Sequence, residues 1–194
     1  MFGNITKLFR VFRSLPAFAI YRMSTARTIV DADIARWQKV GETDKHGLGA
    51  AFFALTKKEE FRSVLYYRMP ACRAFAWLMG RGAPALYLNT PNIGPGLYLQ
   101  HGFATVVTAK SIGRNCLINQ QVTIGYRGFD KAPHIGDNVS IRAGAKILGD
   151  VTIGDNSVIG AGAVVIRSVP PDCVVVGNPA VIVRRNGVKC REAL

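Results

Sequence analysis

Residues 135–165 read IGDNVSIRAGAKILGDVTIGDNSVIGAGAVV. An aliphatic residue returns there every six positions, at Ile135, Ile141, Ile147, Ile153, Ile159 and Val165, and the same step runs back through Ile124, Ile118 and Ile112, interrupted once by an eleven-residue interval between Ile124 and Ile135. Four positions after each aliphatic stands a residue small enough for a tight turn: Cys116, Val122, Val139, Ala145, Val151, Ser157, Ala163 and Val169. A hexapeptide period with three six-residue faces per turn predicts a triangular parallel β-helix. Each coil lays its strands about 4.8 Å above the last and stacks its aliphatics into one narrow core. A perfect repeat presents only walls, so function is expected where the period breaks.

Outward from this stretch, the chain reads as three regions. Residues 1–88 are expected to be helical, with segments at Asp33–Val40 (carrying Trp37), Leu48–Leu55 and Glu59–Met79, punctuated by Gly41, the Thr56-Lys57 step and a kink at Pro70. Residues 89–183 form the β-helix, entered through the turn-rich Asn89–Gly96, and 184–194 are a short basic tail expected to be mobile in part. The apolar runs of the first half, such as Leu15–Tyr21, fall far short of the roughly 18 to 20 residues that a membrane span needs. No secretory signal is evident at the N-terminus, which predicts a cytoplasmic protein. Cys72, Cys116, Cys173 and Cys190 show no CxxC spacing and read as reduced structural thiols rather than disulfides or a zinc site.

The 25 basic and 12 acidic residues leave a net charge of +13, which predicts an anionic partner nearby. Nucleic acid is not expected, because the basic residues are scattered, stacking aromatics are sparse in the repeat and no recognised motif is present. The local signal is Asn4–Arg22, where Leu8, Phe9, Val11, Phe12 and Leu15 intermix with Lys7, Arg10 and Arg13. If helical, this segment suits either peripheral contact with the inner face of an anionic membrane or packing of its apolar stripe on this protein or a neighbouring chain.

Two breaks in the period stand out. Leu99 to Ile112 takes thirteen residues where two hexads need twelve, so one residue bulges out beside Gln100, His101 and Gly102. Between Ile124 and Ile135 five residues are added, and Tyr126-Arg127-Gly128-Phe129-Asp130-Lys131-Ala132-Pro133-His134 must project from a corner of the prism. The chain has three histidines, His46, His101 and His134. Of these, His101 sits on the bulge beside Gly102, and an imidazole is the side chain best suited to take a proton from a hydroxyl near neutral pH.

Leu99-Gln100-His101-Gly102-Phe103-Ala104-Thr105-Val106-Val107, Gln120-Gln121-Val122-Thr123-Ile124-Gly125, Gly144-Ala145-Lys146-Ile147-Leu148-Gly149, and Val169-Pro170-Pro171 through Gly177-Asn178-Pro179-Ala180 together resemble the serine acetyltransferase branch of the hexapeptide acyltransferases. The resemblance implies a left-handed β-helix, a homotrimer, acetyl-CoA as co-substrate in a groove between chains, and His101 as the general base. It further implies that Tyr126, Arg127, Ala143, Ala161 and Arg185 contact the cofactor. The chain departs from that branch at the acceptor site. Gln100 stands where those enzymes place an aspartate, Lys131-Ala132-Pro133 replaces an Arg-His-Pro, and Leu86 occupies the position of the acid that orients the histidine. That leaves Asn89, a backbone carbonyl or another segment to orient His101.

The loop from Tyr126 to Gly136 instead resembles the colanic acid acetyltransferases. The expected activity is therefore O-acetylation of a sugar hydroxyl in surface polysaccharide synthesis, with Gln100, Lys131 and His134 binding the acceptor. Serine O-acetyltransfer in cysteine biosynthesis is the alternative. A non-catalytic scaffold is a lesser one, and a three-histidine zinc site is not expected, since the repeat holds only His101 and His134.

Overall fold

The computed structural model describes residues 2–40, 55–128 and 130–194. The chain splits into two compact units, Met1–Pro84 and Ala85–Leu194.

The first unit is helical: α1 (Phe2–Met23), α2 (Arg27–Lys39), α3 (Glu59–Arg68), a 3-10 segment at Pro70–Phe75 and α4 (Ala76–Met79). Helix α2 begins six residues earlier than the sequence reading because Val30, Asp33 and Trp37, spaced as one helical face, are all buried. Trp37 meets the Phe61 ring edge-on at 5.4 Å. Asp33 receives two hydrogen bonds from the Arg68 guanidinium, at 2.9 and 3.3 Å, and both side chains are almost wholly buried. Such a pair fixes which helices face each other more than it adds net stability. The expected Glu59–Met79 helix is broken rather than kinked: α3 stops at Arg68, and Pro70, which has no N–H to donate, opens the 3-10 segment.

Part of the α1 stripe is used within the unit. Ala17 belongs to the buried cluster with Val30, Leu55, Leu65, Tyr66, Met69, Cys72 and Met79, while Phe12 and Leu15 are exposed. The side chains of Lys7, Leu8, Phe9, Arg10 and Val11, the residue His46 and all of the expected Leu48–Leu55 helix but Leu55 lie outside the described residues. No helix among the described residues is long and apolar enough to cross a membrane.

The second unit is a parallel β-solenoid whose strands visit three sheets in strict rotation. The first face is β1 (Leu86–Leu88), β4 (Thr105–Val107), β7 (Thr123–Gly125), β10 (Lys146–Leu148) and β13 (Val164–Val165). The second is β2 (Asn92–Ile93), β5 (Ser111–Ile112), β8 (His134–Ile135) and β11 (Thr152–Ile153). The third is β3 (Tyr98–Gln100), β6 (Leu117–Asn119), β9 (Ser140–Ile141), β12 (Val158–Ile159) and β14 (Cys173–Val176). It continues, antiparallel, into β15 (Val181–Arg185) and β16 (Val188–Ala193).

Ile118, Ile124, Ile141, Ile147, Ile153, Ile159 and Val165 are completely buried, one above another. So are the residues four positions on, from Cys116 to Val169, which the sequence reading had assigned to turns. Three faces converge on a narrow axis, so each sends in two side chains, and the second has to be small. At most corners the turn is made one residue earlier, by Asn115, Gln121, Asn138, Gly144, Asn156 and Gly162, with φ between +55° and +73°.

Two boundaries differ from expectation. Strand β1 already pairs with β4 as Leu86 with Thr105, so the solenoid starts before Asn89. The basic tail is folded, with Arg184 and Arg185 opposite Lys189 and Val188 across the β15–β16 pair.

Candidate functional site

The coil lengths locate the chemistry. Between Ile135 and Ile153, Ile141 and Ile159, and Ile147 and Val165 the register repeats every eighteen residues. Higher up, Leu99 pairs with Ile118 and Val107 with Ile124, so eight residues separate Leu99 from Val107 and only five separate Val107 from Ile112. The one-residue excess seen in the sequence is thus a two-residue insertion at the edge between the third and first faces, offset by a deletion at the next edge.

The two extra residues fall within the corner His101-Gly102-Phe103-Ala104. His101 and Ala104 both adopt left-handed backbone, with φ of 55° and 51°. The Phe103 N–H donates to the His101 carbonyl at 2.6 Å, and the Phe103 carbonyl accepts from the Gln121 N–H of the next coil at 2.8 Å. The buried Thr105 hydroxyl holds the corner from inside, shared between the Phe103 and Asn119 carbonyls at 3.2 and 3.3 Å. The His101 side chain is exposed and, among the described residues, its imidazole has no hydrogen-bond partner. Asn89 lies at the other end of the first face, its N–H bonded to the Val107 carbonyl, and does not orient it.

Directly along the same edge run Gln120, Ala143 and Ala161, tied coil to coil by the Gly144 N–H on the Gln120 carbonyl at 3.0 Å and the Gly162 N–H on the Ala143 carbonyl at 2.9 Å. A Cβ added at Gly162 would meet nothing within 4 Å, so the edge is slender and open. Sequence reasoning passed over three side chains here. Lys146 sits beside this edge on β10, its ammonium donating to the Gln121 carbonyl at 2.8 Å and the Thr123 hydroxyl at 3.1 Å. The Asn119 amide N–H donates to the Gln100 side-chain oxygen at 2.9 Å. The Asn119 Oδ1 and Gln120 Oε1 atoms are buried and, among the described residues, have no hydrogen-bond partner. Their signal in the sequence was three polar residues, Asn119-Gln120-Gln121, between core positions Ile118 and Val122.

The remaining candidates lie elsewhere on the prism. Tyr126, Arg127 and Lys131 are exposed on the edge between the first and second faces, the far end of the first face from His101. The Arg127 N–H closes the loop on the Lys131 carbonyl at 3.3 Å, and the Arg127 side chain lies against Gly149, where an added Cβ would come within 3.1 Å of it. Ala132 and Pro133 are buried, so the projecting part ends at Lys131. His134 is a strand residue on the second face, its Nδ1 2.9 Å from the Ser111 hydroxyl. Nearby, Lys110 contacts Asp150 at 2.8 Å, and that hydrogen bond is the main reason the Asp150 carboxyl is held below its ordinary value. Arg185 pairs with Glu192 at 2.6 Å and lies opposite Cys173, at the end of the third face away from Ala161. A single chain therefore groups Gln100, His101, Ala143 and Ala161 but not Tyr126, Arg127, Lys131, His134 or Arg185. Among the described residues no three His, Cys, Asp or Glu side chains converge as a metal site.

Residues 132–167 match the family described as bacterial transferase hexapeptide (six repeats). Over 101 residues the chain is 45% identical to a serine acetyltransferase of Synechococcus elongatus, an alignment that takes in 50% of this chain and 41% of that protein. Superposed on the soybean serine acetyltransferase apoenzyme, it gives a TM-score of 0.66 at 30% identity, covering 88% of this chain and 73% of the other. The chain belongs to the hexapeptide-repeat acyltransferases. A serine acetyltransferase from Brucella abortus strain S19, solved in complex with coenzyme A, is similar at 26% identity and a TM-score of 0.63, with 87% of this chain and 72% of that one covered. The chain spans less than half the length of the curated relative it matches.

These relatives overturn the expected sugar acceptor. The loop at Tyr126–Gly136 had suggested a sugar and kinship with colanic acid enzymes, yet both the sequence relative and the structural neighbours are serine acetyltransferases. A short exposed loop tolerates exchange far more readily than the coils beneath it, which is why it misled.

Proposed function

We propose that this chain is an acetyl-CoA-dependent serine O-acetyltransferase with His101 as its general base, its catalytic domain being the β-helix that begins at β1 and runs to about residue 183. The observation that supports this best is the position of His101. It is the exposed imidazole on the inserted corner, unengaged by other described side chains, at the head of the slender edge formed by Gln120, Ala143 and Ala161, in a chain whose relatives are serine acetyltransferases.

The acceptor hydroxyl gives its proton to His101 as its oxygen attacks the thioester carbonyl carbon. The tetrahedral oxyanion then collapses, the carbon–sulfur bond breaks, and the leaving thiolate recovers the proton from His101, giving the acetyl ester and free CoA. In this reading the narrow Ala143–Ala161 edge holds the pantetheine arm. Tyr126, Arg127 and Arg185 stand on other edges of the same prism, so they reach that arm only from a neighbouring copy. A threefold homotrimer with three shared sites follows.

Release of free thiol from acetyl-CoA with L-serine as acceptor tests the activity. Serine-dependent turnover is expected, and its absence at millimolar serine would overturn the reading. Sedimentation at micromolar concentration tests the assembly, for which a fully active monomer is the contrary result.

A further inference from the structure

The resembled enzymes place an aspartate immediately before the histidine, and this chain places Gln100 there, so a carboxylate expected at the acceptor site is missing. The structure offers something in its place. Two of the buried polar side-chain atoms without a partner among the described residues are carbonyl oxygens on consecutive residues, Asn119 Oδ1 and Gln120 Oε1. Both belong to the coil directly beneath His101. Asn119 is opposite Gln100 in the parallel β3–β6 pair, and since Leu99 and Ile118 point into the core, Gln100 and Asn119 point outward beside the corner. Gln120 stands on the corner itself, one coil above Ala143.

The chemistry of the pair is one-sided. Both orphans are acceptors, the Asn119 amide N–H is already committed to Gln100 at 2.9 Å, and Asn119 is only 9% exposed. A buried acceptor left unpaired is costly, and the group that satisfies it must bring donors. An ammonium brings three N–H donors and a charge that amide dipoles favour. A small turn of the amides about their soft terminal torsions, χ2 in Asn119 and χ3 in Gln120, presents each oxygen to a group entering beside His101.

We infer that Asn119 and Gln120 form an amide cradle that reads the ammonium of the amino-acid acceptor, taking over the task of the absent carboxylate. The inference rests on the serine reading above and adds the residues that select the amine. Gln100 acts through Asn119 as a positioning residue: it takes the amide N–H, so the oxygen is the atom left for the acceptor.

The test compares L-serine with 3-hydroxypropionate, which keeps the hydroxyl and carboxylate but lacks the amine. In the wild type serine should be strongly preferred. Asn119→Leu should raise the serine KM by about 10- to 100-fold, the range for a lost hydrogen bond to a charged group. KM for acetyl-CoA should stay within about twofold, and the serine preference should fall by the same factor as the serine KM rises. Gln120→Met should do the same to a smaller degree. Asn119→Asp, nearly isosteric, puts a full negative charge where the amide oxygen stood and should lower the serine KM and raise the serine preference, and it serves as the probe if the leucine variant does not fold. Wild-type turnover with serine combined with an unchanged serine preference in these variants would overturn the cradle alone. A wild type inactive toward serine would overturn both the cradle and the functional reading.

Discussion

The lower coils, from Ile135 to Val165, and the upper ones, from Leu88 to Ile124, share one architecture but differ in what they can do. Below, every turn takes eighteen residues, the corners are short runs of Gly, Ala, Asp and Asn, and the interior is a closed stack of mostly aliphatic side chains. Above, the coils gain and lose residues at particular edges, and the two insertions expose polar groups: His101 on one corner and, at the junction with the lower coils, Tyr126, Arg127 and Lys131 on another. The regular coils supply rigidity and the irregular ones supply chemistry. A β-solenoid can host an insertion at a corner because only the turn is remade, while the inter-coil ladder on either side stays in register.

The sharpest way to break this division is to remove the imidazole without touching the stack. His101→Asn keeps a residue that tolerates left-handed backbone, and should lower turnover by about 10²- to 10⁴-fold, with a thermal transition close to that of the wild type. A large stability loss would mean that the corner is part of the scaffold after all. The converse substitution is Ile147→Ala in the regular stack. It should cost about 2–5 kcal/mol in denaturant unfolding, as expected for a cavity in a wholly buried site, and change KM little in the folded fraction.

Gly149 lies where the two regions meet. Its φ of +95° and the nearness of Arg127 predict that Gly149→Ala loses about 1–2 kcal/mol and disturbs the base of the loop, visible as a raised KM for acetyl-CoA. The smallest expected effect is at Asp137. Its carboxylate accepts from the Arg114 backbone N–H and from the Arg114 guanidinium, both at 2.9 Å, and the backbone bond is the main reason its pKa is lowered. A lowered folded value stabilises the protein above the ordinary carboxylate value of about 3.9, and that contribution is lost as pH falls through the folded value. Asp137→Asn should therefore cost less than about 1 kcal/mol at neutral pH, the scale of an exposed ion pair, and nothing measurable near pH 2.

The N-terminal unit shows where local pattern is weakest. Its helices were legible as helices, but the start of α2 depended on the burial of Val30 and Asp33 against elements far along the chain, and the Asp33–Arg68 pair spans 35 residues. The candidate acceptor residues were legible only in part. Gln100 and His101 sit on a break in the period and could be found by counting. Asn119 and Gln120 sit on an unbroken hexad, and only the register that sets Asn119 against Gln100 reveals two oxygens without donors.

The hexapeptide period by itself determined the parallel solenoid, the aliphatic half of its core and the existence of two interruptions, because inward alternation is a local property that repeats with each face. Tertiary structure alone decided which edge each interruption falls on, since that depends on how many residues every coil consumes before it hydrogen-bonds to the next. It also decided that β15 and β16 turn back antiparallel rather than trail away, and that His101 and the 126–131 loop occupy opposite ends of one face. A one-residue excess in the sequence cannot say whether it is one insertion or an insertion of two offset by a deletion. The ladder of backbone hydrogen bonds can, because it pairs residues across the coils rather than along the chain.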